Sequence, residues 1–173
     1  MKLIAHEGFG PTHGSLTIYS APRAVLKHIE WGIAEAIGSP ISLTWSPQPL
    51  ASGTFHCSLH WRGTIGTASR IATQLRGWHY LRFELSEASS HGSDGSIYMF
   101  EPDLGLFRAD VGPHGDIMIN ENQVTQVIRN CTREDDIVEN LEKILGRPWD
   151  VAFEPFRRGL FDDGQSGIDR LSV

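Results

Sequence analysis

Cysteine is scarce, positive charge is thinly spread, and no long apolar run occurs in this sequence of 173 residues. Only two cysteines are present, Cys57 and Cys131, so there is no disulfide framework, and both are expected as reduced thiols without a redox role. Lys and Arg number 15 against 21 Asp and Glu, a formal net charge of −6. The densest basic pair is Arg157-Arg158, whereas phosphate backbones and anionic membranes demand clustered cations that release counterions. Neither a nucleic-acid partner nor a membrane partner is therefore expected. No stretch approaches the ~18 consecutive apolar residues of a spanning helix. The run Met1–Ile4 is broken by His6-Glu7-Gly8 and does not read as a secretory signal, so the expected location is the cytoplasm.

Catalytic and metal-binding signatures are missing too. Eight histidines invite a metal reading, but there is no HExxH and no CxxC. His56 and His60 share a strand face, yet four strand residues span roughly 13 Å at ~3.3 Å each. Two imidazoles on one zinc, each at about 2.0–2.1 Å, cannot lie that far apart. No GxSxG nucleophile elbow occurs; Gly92-Ser93-Asp94-Gly95 and Gly164-Gln165-Ser166-Gly167 are glycine turns. The expectation is no catalytic residue, no metal and no cofactor.

What is present is an ordinary globular composition, 40% hydrophobic and 21% charged, with clear periodicities. Residues 1–13 are punctuated by Gly, Pro and His and read as a flexible extension. Gly14 to Ser20 alternates with Leu16 and Ile18 on one side, a half-buried strand. After Ser20 and Pro22, the residues Val25, Leu26, Ile29, Ile33, Ala36 and Ile37 form a helical stripe that Gly38 and Pro40 end. Residues 41–47 alternate again with Ile41, Leu43 and Trp45 inward. Thr54 to Arg62 alternates most cleanly, with Phe55, Cys57, Leu59 and Trp61 against His56, Ser58, His60 and Arg62. Gly66 to Trp78 reads as a second helix and Tyr80 to Ser86 as a further strand. Residues 87–95 read as a polar loop.

That order is β-α-β-β-α-β. Short strands at 96–101, 104–110 and 115–120 follow as an antiparallel meander, and two helices close the domain. Asn120 with Gln123, and Thr132 with Asp135, resemble capping boxes. Trp149, Phe153 and Phe156 lie in a short turn or helix broken at Pro155. The expected fold is α+β: a ferredoxin-like βαββαβ core followed by a β-meander and two C-terminal helices. Residues 14–158 form the single domain, and 159–173 a flexible tail.

Three features could carry chemistry. The segment Gly63-Thr64-Ile65-Gly66-Thr67 precedes a helix, where backbone N–H groups can cradle phosphate, but it lacks the P-loop lysine; a plain strand-to-helix turn is the alternative. In a ferredoxin-like layout both helices cover one sheet face. The other face would then carry His56, His60, Arg62, Arg82, Glu84, Tyr19 and Thr44, either solvated, covered by later elements, or facing a ligand. Trp31 falls nearly opposite the Ile29/Ile33 stripe, beside Lys27, His28 and Glu35, and needs cover. That cover comes from Trp149, Phe153 and Phe156, or from a subunit or partner interface, where Trp is enriched.

The runs His28-Ile29-Glu30-Trp31, Leu43-Thr44-Trp45, Leu81-Arg82-Phe83-Glu84, Leu104-Gly105-Leu106 and Gly115-Asp116-Ile117-Met118 are distinctive. So is Trp149-Asp150 followed by Glu154-Pro155-Phe156-Arg157. In this order, from about Gly14 to Arg157, they resemble an actinobacterial family catalogued as a domain of unknown function. The resemblance implies a cytosolic bacterial protein and transfers no activity or site residue.

Two functional readings follow. One is a non-enzymatic binding or regulatory domain, acting as a homodimer or on a protein partner through Trp31 and His28. The other is a small-molecule-binding protein or minor enzyme that uses the polar sheet face, with His60, Arg82 and Glu84 as contacts.

Overall fold

The computed structural model describes residues 10–166, with side chains over 10–160. Of the expected extension and tail, residues 1–9 and 167–173 lie outside the described residues. The longest alternating segments become neighbouring antiparallel strands, β1 (Pro11–Pro22) and β3 (Thr54–Thr64), in a seven-stranded sheet. The others are β2 (Ser46–Pro47), β4 (Arg82–Glu87), β5 (Gly95–Glu101), β6 (Gly105–Val111) and β7 (Ile117–Met118). The order is β2-β3-β1-β4-β5-β6-β7, antiparallel throughout. Leu16 pairs with Leu59 on one side and Leu85 on the other, so one apolar row crosses the sheet. Between Ile18 and Ala21 the register with both neighbours shifts, a β-bulge that seats Tyr19 and Ser20 at the end of β1.

Two helices cover the inner face. A 3-10 turn at Arg23–Val25 leads into α1 (Leu26–Ile37), which ends on the left-handed Gly38, and α2 (Thr67–Leu75) lies beside it. Ile29, Ile33 and Ala36 of α1 and Ile71, Ala72 and Leu75 of α2 pack on Leu16, Ile18, Phe83 and Leu85 of the sheet. Then come α3 (Glu121–Asn130), α4 (Glu134–Ile144) and α5 (Arg147–Ser166). The last crosses the outer face and lays Trp149 and Phe153 on Tyr19, Met99, Phe107 and Ala109, making a second core.

Several expectations need correction. Three helices, not two, close the chain, because Trp149–Phe156 belongs to a continuous 20-residue helix with Pro155 inside it. Proline removes the bond to the Val151 carbonyl, but Pro155 is on the exposed side and Val151 is 62% exposed, so water can satisfy that carbonyl. Residues 41–45 alternate without joining the sheet. Ile41 and Leu43 turn into the inner core, the Trp45 indole donates to Glu30 at 3.1 Å, and only Ser46–Pro47 pairs with β3. The Asn120–Gln123 capping box is present, but α4 starts at Arg133 without a side-chain cap. Glu134, Asp135 and Asp136 in its first turn oppose the helix dipole instead.

Candidate functional site

The outer sheet face is built by alternation: Thr17 lies between Ser58 and Glu84, and Ser15 between His60 and Ser86. Over β4, β5 and β6 that face is not open, because α5 covers it. The Tyr19 hydroxyl donates to Glu84 Oε2 at 2.7 Å, and Arg157 donates to both Glu84 oxygens at 3.2 and 2.9 Å. Arg157 Nη2 also donates to Asp150 at 3.0 Å. Arg82 pairs with the buried Glu101 at 3.1 Å and stands over the Phe156 ring, 5.6 Å from its centroid. The second Glu101 oxygen accepts the Asp103 and Leu104 backbone N–H groups, which closes the β5–β6 hairpin.

Arg82 and Glu84 are therefore spent on internal partners. Burial, followed by the Glu84 charge, pushes the Tyr19 phenol well above its ordinary value. Burial alone would lower the Arg157 guanidinium, but the hydrogen bonds and charge of Glu84, with a hydrogen bond to Asp150, outweigh it and hold the group more firmly protonated. Neither group exchanges a proton near neutrality. Arg157 and Asp150 stand out in the sequence only as parts of a distinctive run, not as site residues; the Arg157–Glu84 pair spans 73 residues and leaves no local signal.

The expected contacts fall in three places. His60 is exposed on β3, two strands from Glu84, about 10 Å at ~4.8 Å per strand, and does not join its network. His28 and Trp31 are on α1, across the sheet from Glu84. Trp31 is 65% exposed, which overturns the expected cover by the C-terminal aromatics. Those rings lie on the outer face, Phe153 at 5.0 Å from Tyr19 and Trp149 at 5.1 Å from Phe107.

Trp31 instead begins a surface row of rings. His28 meets it edge-on at 5.3 Å, Trp78 lies 6.1 Å from His28, and Tyr80, 45% exposed, lies 6.2 Å from Trp78. Beside Trp31 is a shallow hollow of about 550 Å³ bounded by Glu30, Ala34, Glu35, Pro40 and Ile41. Glu30 is buried there, held ionised by Lys27 at 2.7 Å and the Trp45 indole, which together outweigh its burial. Sequence periodicity missed this row, because Trp78 and Tyr80 read as the end of a helix and the start of a strand rather than as a loop.

The glycine turn before α2 does not hold a vacant phosphate cradle. Glu87, read as loop, is the last residue of β4, and its buried carboxylate accepts the N–H groups of Gly66 at 2.7 Å and Ala68 at 2.8 Å. An acid of the chain itself occupies the helix N-terminus. Beside it, on the inner face of β5 and β6, a groove of about 570 Å³ is lined by Arg76, Tyr98, Leu106, Arg108 and Asp110. Cys57 is buried, and burial pushes its thiol up to about 12, so it is unreactive at neutral pH. Among the described residues no three His, Cys, Asp or Glu side chains converge as a metal set, and no helix is long and apolar enough to cross a membrane.

Among the described residues, an antiparallel seven-stranded sheet with five helices makes this an α+β protein. Residues 15–166 match the family described as Protein of unknown function (DUF3145), and the chain belongs to that family. No curated protein and no solved structure matches it.

Proposed function

We propose that this is a non-enzymatic, cytoplasmic binding or regulatory domain that meets a protein partner through the row Trp31–His28–Trp78–Tyr80. The carrying observation is the exposure of Trp31, 65% on the polar side of a helix whose other side is fully packed. Aromatic anchors beside a polar rim are what interface cores are made of. Glu35 next to the indole favours a partner that presents a basic side chain to the ring. The strand order β2-β3-β1-β4, with α1 and α2 side by side, supports reading Pro11–Glu87 as a ferredoxin-like unit that β5, β6 and β7 extend.

The test compares wild type, Trp31→Ala and Tyr80→Ala, full-length. Trp31→Ala should move the melting temperature by no more than about 2 °C, since exposed substitutions cost within ~0.5 kcal/mol. The same change should weaken a purified stoichiometric partner about tenfold or more. Wild-type affinity in both variants, or a melt several degrees lower, would defeat the proposal. A second reading, small-molecule binding, is favoured by the groove beside Tyr98 and Arg108, whose guanidinium donates to the phenol at 3.3 Å.

A further inference from the structure

β3 is 11 residues long, and its two sides are treated unequally. One side is occupied by β1 from the Thr64–Pro11 pair to the Thr54–Pro22 pair. On the other, β2 pairs only with Phe55 and His56. From Cys57 to Thr64 no described residue adds a strand there, because the chain before Ser46 turns away to seat Trp45 on Glu30.

Two backbone bonds fix which groups are left over. Ile65 N–H donates to Gly10 at 3.0 Å, so odd-numbered residues of β3 direct their N–H and C=O toward β1. Gln48 N–H donates to the Thr54 carbonyl at 2.9 Å, so even-numbered residues direct theirs outward. Pro47, which has no N–H to give, faces the odd-numbered Phe55, as that phase requires. Ser58, His60 and Arg62 thus present backbone donors and acceptors to the open side, and all three are exposed, whereas the Thr64 carbonyl already accepts the Thr67 hydroxyl at 2.7 Å.

Sheets normally blunt such an edge with short strands, bulges, proline or lysine. The opposite edge does so: it ends in the two-residue β7, and the Trp149 indole takes the Gly105 carbonyl. From Cys57 to Thr64 there is no proline, no lysine and no register shift, since the irregular residue belongs to β1.

We propose that this edge pairs antiparallel with the same edge of a second copy, about a two-fold axis through His60. In that register Ser58, His60 and Arg62 each donate and accept a backbone hydrogen bond. Arg62 faces the partner's Ser58, and Leu59 faces the partner's Trp61 on the apolar side. His60 faces its own copy on the axis, and no arginine is set against a second basic side chain. A shift of the axis to Trp61 would set His60 against Arg62 twice. At the far end Ser46 already occupies the edge of His56, so pairing stops there, and the two-fold axis closes the assembly as a dimer rather than a fibre. The edge itself is the occupant with matching length and alternation, and it sets no arginine against another, which argues for a second copy over a foreign peptide. This surface is separate from the Trp31 row and stands without it.

The experiment is sedimentation velocity of the full chain over a range of concentrations, with Ser58 as the lever. Ser58→Arg places an arginine opposite Arg62 on both sides of the axis and should weaken the dimer about tenfold. Ser58→Glu should tighten it, and Ser58→Arg with Arg62→Glu should restore it. Ser58 is exposed, so unchanged melting of the monomeric variants keeps folding out of the comparison. A wild-type chain that stays monomeric up to ~1 mM, where even weak association populates a dimer, would overturn the proposal. A dimer indifferent to the sign of charge at position 58 would overturn it as well, and so would pairing seen only with an added peptide.

Discussion

The Tyr19 hydroxyl sits 2.7 Å from a carboxylate that Arg157 also holds, under the aromatic rings of α5. Its phenol is raised above the ordinary value, chiefly by burial. A folded-state value above the unfolded one means stability that is fully present below about pH 10 and is lost as pH rises toward the folded value. In an absorbance titration, Tyr19 should therefore ionise only together with unfolding. Tyr19→Phe should remove that late step. A wild-type protein in which Tyr19 ionises near pH 10 while still folded would refute the burial argument. At this scale the sequence was partly legible. Alternation put Glu84 and Arg82 on the polar face, but Arg157 lies 73 residues from Glu84, and no local pattern announces such a pair. Glu87 was hidden for a related reason: a charged residue beside a Ser-rich turn reads as solvated until the helix it caps is brought alongside.

Elements with a strong period and a clear stop were legible, as α1 with Gly38 and α3 with its capping box illustrate. Ile41–Trp45 misled because alternation records only which side chains enter a core, and a chain packed beneath a helix satisfies it without a ladder. Pro155 misled because the cost of proline depends on whether water reaches the freed carbonyl. The joint between α4 and α5 is Gly146, whose φ of 77° lies in the left-handed region. An added Cβ would come within 2.8 Å of Phe107 and 2.9 Å of Met99. Gly146→Ala should therefore cost about 2–4 kcal/mol, from backbone strain plus crowding. Urea denaturation is the measurement, and a change below ~0.5 kcal/mol would mean the joint can relax freely.

The sheet is sandwiched between two cores, one under α1 and α2, the other under α5. Only the first was legible, since three aromatics near a C-terminus do not say which surface they meet. Phe153 is fully buried at the centre of the second core, so Phe153→Ala should cost about 3–5 kcal/mol. The same change should raise binding of an apolar dye, and a cost under ~1 kcal/mol would show that α5 is held by its ion pairs alone. The position of α5 also has a consequence for how the chain is born. Tyr19 leaves the ribosome well before its cover, Phe153 and Phe156. At ~5–20 residues per second the nascent sheet carries Tyr19, Met99 and Phe107 bare for on the order of seconds. During synthesis the sticky surface of this protein is thus the face that the finished molecule hides, and a stop codon shortly before Trp149 would leave it exposed for good.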